Sequence, residues 1–164
     1  MRGIIALALL CSAPAFADDG ITASATPAPS SDRHLFYFEA LGKGGLYGVG
    51  YEYKPKRWLG LGVVGSYSNI RDEQVYTASP YVHLTALQGK RNALFGEFGA
   101  IFAHSRIPSP VMNWDGMTDN GGGGFATIGW EYKRGHFVLR TSGGVAVGEG
   151  GVAPMVGVSI GLSL

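Results

Sequence analysis

The sequence predicts an all-β fold, a closed antiparallel up-and-down transmembrane β-barrel of about eight strands. Side chains alternate between the two faces of a strand, and in residues 46–53 one parity carries only tyrosine and valine while the other is mostly glycine and glutamate. About eight segments repeat this alternation, and no segment after residue 17 has a helical period. Because no helices are available to cover the apolar face, we expect lipid to cover it.

Residues 1–17 have the features of a secretory signal peptide. Arg2 supplies the positive start, Gly3–Leu10 is apolar, and Ala15–Ala17 is a small-x-small cleavage site. The apolar run is too short to span a bilayer as a helix. Cys11, the only cysteine, lies in this segment, so we expect a mature chain without disulfides, thiolate metal sites or thiol nucleophiles.

Residues 18–32 are rich in Ala, Ser, Thr and Pro and lack apolar periodicity, which predicts a disordered periplasmic tether. Residues 33–164 then form one domain, the outer-membrane barrel. The chain is 46% hydrophobic, 15% charged and has a net charge of +1. This composition excludes a largely disordered protein, and the lack of a basic patch with interleaved aromatic residues argues against nucleic acid as a partner.

The predicted strands follow one another in order, each bounded by turn signals. The 27 glycines are spread through them rather than confined to turns, which suits a narrow barrel with little interior room. Closure removes both sheet edges, which hydrocarbon requires because it cannot hydrogen-bond unpaired amides. The strands are predicted at Leu35–Leu41, Leu46–Tyr53, Trp58–Tyr67, Ser79–Gln88, Ala93–His104, Gly124–Tyr132, His136–Val147 and Met155–Leu164.

The connections between these segments differ in length and charge. Three are tight, basic and free of acids, at residues 54–57, 89–92 and 133–135. The alternate connections are longer, except for a short one at 42–45, and span residues 68–78, 105–123 and 148–154. Short periplasmic turns alternating with longer outer loops are typical of outer-membrane barrels, so we expect both termini in the periplasm.

Strand parity separates two faces. A cation on the lipid face at mid-depth would cost about 2–4 kcal/mol, and every mid-strand charge falls on the opposite, inward parity. The predicted outward residues are Phe36, Phe38, Leu59, Leu61, Val63, Val82, Leu84, Leu94, Phe98, Phe102, Ile128, Trp130, Tyr132, Phe137, Leu139, Val156, Val158, Ile160, Leu162 and Leu164. The predicted inward residues include Glu39, Glu52, His83, Thr85, Glu97, Thr127, Glu131, Arg140, Ser142 and Ser159.

A family resemblance rests on the first predicted hairpin. The run Phe38–Tyr47 (FEALGKGGLY), followed by Tyr51-Glu52-Tyr53, resembles the opening hairpin of small, uncharacterised eight-stranded bacterial outer-membrane barrels, in which Glu-x-x-Gly-x-Gly-Gly-Leu-Tyr precedes Asn-Tyr-Glu. The resemblance implies an integral outer-membrane protein folded by the barrel-assembly machinery. Such barrels usually end in an aromatic residue, whereas this chain ends in Leu164.

The inward ionisable residues form the main candidate site. We interpret them as a structural ion network filling the lumen, because the interiors of eight-stranded barrels are generally filled by side chains. Paired carboxylates could alternatively do acid–base chemistry. Loss of Arg140 should matter most, since a buried charge network needs its pairs. The members are Glu39, Glu52, His83, Glu97, Glu131 and Arg140.

An enzyme is the second hypothesis. His104 and Ser105, with Glu97 or Glu149, could form a hydrolytic triad, and lipid A deacylase barrels use such residues. Those enzymes, however, have one residue between His and Ser and an Asn after the Ser, which this chain lacks.

Metal and phosphate sites are weaker hypotheses. Asp115, Asp119 and Asn120 lack the spacing of a calcium loop, and no helix follows the glycine-rich turn at 42–45 to bind phosphate. We therefore expect no metal site and no cofactor.

The sequence thus favours a non-enzymatic integral outer-membrane barrel with a structural or surface-interaction role through its extracellular loops. Its expected partners are outer-membrane lipid, lipopolysaccharide and the barrel-assembly machinery. The alternatives are an outer-leaflet lipid-modifying hydrolase, a narrow pore, and a soluble lipid-carrying barrel with the reverse parity.

Overall fold

The computed structural model describes residues 32–70, 73–107, 117–148 and 151–164. Eight strands form a closed antiparallel barrel in which each strand pairs with its sequence neighbours and β1 pairs with β8, so the predicted fold is confirmed. The predicted signal peptide and all but the last residue of the predicted tether lie outside the described residues. The strands are β1 His34–Gly42, β2 Gly45–Lys56, β3 Leu59–Ile70, β4 Glu73–Gln88, β5 Asn92–Ile107, β6 Met117–Arg134, β7 Phe137–Gly148 and β8 Gly151–Ser163.

Within these ranges the chain forms no helix that is long and apolar enough to cross a bilayer. The amide of His34 donates a hydrogen bond to the carbonyl of Leu164 (2.9 Å), so the start of β1 and the end of β8 lie side by side. We call this the terminal end of the barrel and the opposite one the loop end.

The predicted alternation of short turns and long loops is wrong at two of its three long connections, whereas the four connections predicted to be short are short. Two residues (71–72) join β3 to β4 and two (149–150) join β7 to β8, where the sequence pattern predicts loops over 68–78 and 148–154. The one long connection between strands, residues 108–116, joins β5 to β6. The polar segments continue as strands because backbone pairing between β3 and β4 extends to Ile70 and Glu73, beyond the point where apolar alternation stops.

The barrel wall rises to different heights at the loop end. β5 and β6 remain paired up to Ile107 and Met117. The pairing of β6 with β7, in contrast, begins only at Gly123 and Gly148. Six residues of β6, numbers 117–122, therefore extend past the end of β7.

Glycines make room for the bulky side chains inside the barrel. Tyr37 pairs with Gly50 across β1 and β2, and Tyr81 pairs with Gly62 across β3 and β4. A Cβ atom on either glycine would overlap the ring of the facing tyrosine. Phe95 and Gly129, on β5 and β6, are a further pair of this kind.

The two faces match the parity read from the sequence. All of the predicted outward residues are exposed or half-buried, and all of the predicted inward residues are buried or half-buried. Leu35, Val64, Phe125 and Val138 pack inside the barrel with the two buried tyrosines. The described part of the chain is thus apolar outside, with a mixed charged and apolar interior.

A pair of adjacent glycines tests how tightly the barrel is packed. In Gly144→Ala the new Cβ would overlap the carbonyl oxygen of Ala126, a backbone atom that cannot easily move. In Gly143→Ala the nearest atom, the carbonyl oxygen of Met155, is 4.0 Å away. We expect Gly144→Ala to lower the free energy of unfolding by about 1–3 kcal/mol and Gly143→Ala to leave it nearly unchanged, measured by urea unfolding in lipid vesicles. Equal unfolding midpoints for the two variants would contradict this packing.

Candidate functional site

The structure places all six of the predicted ionisable residues inside the barrel. They come from six different strands, and their side chains point inward because each lies on the inward parity of its strand. Together with two lysines described below they form what we call the lumen network. The six are Glu39 on β1, Glu52 on β2, His83 on β4, Glu97 on β5, Glu131 on β6 and Arg140 on β7, each at most 7% exposed.

Arg140 lies at the centre of the lumen network. Its Nη1 and Nη2 atoms donate to the two carboxylate oxygens of Glu52, at 2.7 and 3.0 Å. Its Nε atom donates to Oε2 of Glu131 at 2.7 Å. A guanidinium that binds a carboxylate through two parallel hydrogen bonds makes one of the stronger polar interactions in proteins, so Arg140 holds β7 to both β2 and β6.

Glu97 extends the lumen network to β4 and β5. Its Oε1 atom lies 3.1 Å from Nδ1 of His83 and 3.7 Å from Nη1 of Arg140. The imidazole ring of His83 stacks on Phe95 with 4.8 Å between ring centroids. Charged and aromatic groups therefore fill this level of the lumen together.

Lys43 belongs to the lumen network although the sequence reading placed it in a connection. Its Nζ atom donates to Glu97 Oε2 at 2.7 Å and to Glu39 Oε1 at 3.0 Å. The turn that carries it has left-handed backbone at Leu41 (φ 57°) and Gly45 (φ 90°). Only the Glu39-to-Lys43 spacing of four residues, with glycines flanking the lysine, could have indicated this inward turn.

Lys54 is the second member that the sequence reading missed. Its Nζ atom lies 3.4 Å from Glu131 and 3.7 Å from Glu52. The sequence reading counted Lys54 as part of a tight basic turn, but β2 continues to Lys56. Parity along the longer strand directs the Lys54 side chain toward the lumen.

Two tyrosines connect these ion pairs by hydrogen bonds. The Tyr37 hydroxyl donates to the Tyr81 hydroxyl at 2.8 Å, and the Tyr81 hydroxyl donates to Glu52 Oε2 at 2.9 Å. The ammonium of Lys43 lies 4.6 Å from the centre of the Tyr81 ring, a distance at which a cation is attracted by the ring. Among the described residues, the Thr127 hydroxyl is the buried side-chain group without a hydrogen-bond partner.

The arrangement favours ion pairing over metal binding. Glu52, His83 and Glu97 offer ligand atoms within 4.8 Å of one another. The guanidinium of Arg140 already bonds to Glu52 and lies beside Glu97, so a metal ion there would face a fixed positive charge. Four carboxylates meet three permanent cations in this network, and each carboxylate has a cation within 3.0 Å.

The described members of the hypothetical hydrolytic triad do not come together. His104 and Ser105 are adjacent on β5, so their side chains point to opposite faces. Nδ1 of His104 lies on the outside, 2.7 Å from Oδ1 of Asn120, whereas Glu97 is buried in the lumen. Glu149, the other proposed acid, and Asp115 of the weak calcium hypothesis lie outside the described residues.

The outer surface carries two rows of aromatic and polar side chains. The upper row, Tyr67, Tyr76, His104 and Asn120, lies in register across β3 to β6 near the loop end. The lower row lies near the terminal end, on β1, β2 and β6 and just before β3, and contains His34, Tyr51, Tyr53, Trp58, Trp130 and Tyr132.

The distance between the two rows matches the apolar part of a bilayer. His104 pairs with Asn120, and ten residues along each strand Leu94 pairs with Trp130. Ten residues at about 3.4 Å each, tilted by about 40°, span roughly 25 Å along the barrel axis. Between these rows the outer face of β5 and β6 is apolar.

Similar solved structures share this fold at low sequence identity. The N-terminal β-barrel domain of Pseudomonas aeruginosa OprF is 16% identical, with a TM-score of 0.59 over 80% of this chain and 95% of that domain. Ail, the attachment invasion locus protein of Yersinia pestis, is 12% identical, with a TM-score of 0.51 over 79% of this chain and 91% of that protein. No protein-family model and no curated protein matches the sequence. The chain thus has the fold of small eight-stranded outer-membrane barrels.

Replacing Arg140 tests whether the lumen network stabilises the barrel. Arg140→Met leaves Glu52 and Glu131 buried without their main cation, so we expect a loss of about 3–5 kcal/mol in the free energy of unfolding. Adding Glu52→Gln should recover part of this loss, because it removes one of the stranded charges. Arg106→Met, at an exposed arginine on β5, should change stability by less than about 0.5 kcal/mol. Similar urea midpoints for the two arginine variants would rule out the stabilising role.

Proposed function

We propose that the protein is a non-enzymatic integral outer-membrane barrel with a structural or surface-interaction role. The observation that carries the proposal is the segregation of its surfaces. The outer face between the two rows is apolar, whereas the charged residues of the strand centres are enclosed in the lumen. Water would disfavour such an exterior, and a bilayer would favour it.

The structural neighbours support the proposed location. OprF and Ail are bacterial outer-membrane proteins, and the barrel described here covers nearly all of their solved barrel chains. Outer-membrane lipid and lipopolysaccharide would then surround the apolar band, and the barrel-assembly machinery would insert the chain. The loop end would face outward, because the termini of such barrels lie in the periplasm.

The surface role would belong to the loop end. There β5 and β6 rise past the end of β7 and are joined by the longest connection between strands, residues 108–116. Loops held on a rigid scaffold are common places for recognition. We propose that this projecting hairpin contacts molecules outside the cell.

The geometry supports the alternatives less well. A soluble lipid-carrying barrel needs an apolar interior and a polar exterior, the reverse of what is observed. The hydrolase hypothesis has no support in the geometry, because the described triad candidates face different sides of the wall. A narrow pore is the remaining alternative, since charged residues line the lumen.

Localisation tests the proposal directly. The protein should fractionate with the outer membrane and migrate differently on gels before and after boiling. Leu61→Arg places a cation at mid-depth on the outer face, at a cost of about 2–4 kcal/mol, and should reduce the heat-shifted fraction. Asn69→Arg, on the same face of β3 but beyond the upper row, should not. Recovery of the protein in the soluble periplasmic fraction would refute a membrane barrel.

Electrical recording tests the pore alternative. The side chains of the lumen network and the two buried tyrosines fill the interior, so purified protein in planar bilayers should show little or no steady conductance. A sixteen-stranded porin reconstituted in the same way serves as the positive control. Large, stable, cation-selective steps that shift in Glu97→Gln or Glu131→Gln would make a pore the leading function.

A further inference from the structure

Cations are concentrated at the terminal end of the barrel. We call this group the basic ring; its side chains are exposed or half-buried. Among the described residues, Asp32 is the acidic side chain at the rim of this end, and it lies 3.0 Å from Lys133. The basic ring consists of Arg33, Lys56, Arg57, Lys90, Arg91, Lys133 and Arg134.

The basic ring surrounds the barrel instead of forming a patch on one side. Its members come from the residue before β1, from the ends of β2 and β6, and from the connections that join β2 to β3 and β4 to β5. Some are direct neighbours, since the Lys133 amide donates to the Arg91 carbonyl at 2.7 Å. Like charges on neighbouring strands repel, so this end of the molecule gains stability from anions placed around it.

The basic ring lies next to the lower row of aromatic side chains. The Nζ atom of Lys56 lies 5.4 Å from the centre of the Trp58 ring, and Trp58 is 52% exposed. Tyr132 directly precedes Lys133 in the chain, and it pairs with Asn92, the residue after Arg91. Exposed tyrosine and tryptophan mark the headgroup level of a bilayer, so these cations lie where lipid phosphates would be.

We propose that the basic ring binds the phosphate groups of anionic glycerophospholipids in the leaflet at the terminal end. Lysine and arginine next to a membrane attract anionic lipids, and arginine can bind a phosphate through two hydrogen bonds. A ring around the whole circumference matches a shell of lipids better than a single protein partner, which would contact one side. This inference rests on the proposed membrane location.

Quenching of tryptophan fluorescence by brominated lipids measures whether anionic lipid is preferred over phosphatidylcholine next to the basic ring. In Trp114→Phe the remaining tryptophans, Trp58 and Trp130, both belong to the lower row. The protein is folded into phosphatidylcholine vesicles that contain either brominated phosphatidylcholine or brominated phosphatidylglycerol. We expect phosphatidylglycerol to be preferred several-fold at these tryptophans, and the preference to weaken as salt is raised.

Variants test whether the preference for phosphatidylglycerol depends on the basic ring. The combined change Lys56→Gln, Arg57→Gln, Arg91→Gln and Arg134→Gln should lower the preference toward one, with only the three remaining cations of the ring to sustain it. Arg106→Gln, which removes an exposed arginine near the loop end, should leave it unchanged. Heat-shift gels show that each variant is folded before quenching is compared.

A tryptophan at the loop end serves as a second reporter of the neighbouring lipids. Tyr76→Trp, in a chain whose three native tryptophans are replaced by Phe, places the fluorophore in the upper row and should show no preference for phosphatidylglycerol.

Equal quenching by both brominated lipids at the lower row would overturn the inference while leaving the membrane barrel intact. Absence of quenching by either lipid would refute the proposed location itself. Retention on peptidoglycan through the same four cations, without a lipid preference, would assign the basic ring to the cell wall.

Discussion

The paired hydrogen bonds between Arg140 and Glu52 cross the lumen and connect strands that are not neighbours in the sheet. β8 and β1 separate β7 from β2 along the wall, so this ion pair stabilises the cross-section of the barrel in a way that ladder hydrogen bonds cannot. Both side chains are almost fully buried, and a buried charge is tolerated only with its partners in place. Glu131 and Glu97 lie next to Arg140 and balance its charge, and Lys43 in turn pairs with Glu97.

The lumen network fits only if the strands of the barrel wall lie close around it, and glycines allow this close approach. Where a bulky inward side chain points from one strand, the facing position on the next is often glycine, as with Tyr37 and Gly50 or Tyr81 and Gly62. Eight strands enclose just enough space for side chains. Part of the glycine content of the chain, 27 of 164 residues, is thus a packing requirement of a narrow, filled barrel.

Much of this structure could be predicted from the sequence because strand parity has a fixed period. Alternation identified the barrel and the inward position of the six ionisable residues. It missed Lys43 and Lys54, because a residue assigned to a turn has no predicted face. Alternation also underestimated the lengths of β3 to β6 near the loop end. The side chains there become polar on both faces. Only backbone pairing, which has no sequence pattern, keeps these strands together.

In the proposed membrane location, the uneven height of the wall would limit how deeply the barrel can sit. Residues 117–122 of β6 extend past β7 and have no ladder partner there among the described residues. Backbone groups on that open side need water, because hydrocarbon offers them no hydrogen bonds. The hydrocarbon boundary on this side must therefore lie below Gly122, two residues deeper than Asn120 of the upper row. Backbone hydration thus limits immersion on the β6–β7 side more strictly than the upper row of side chains does.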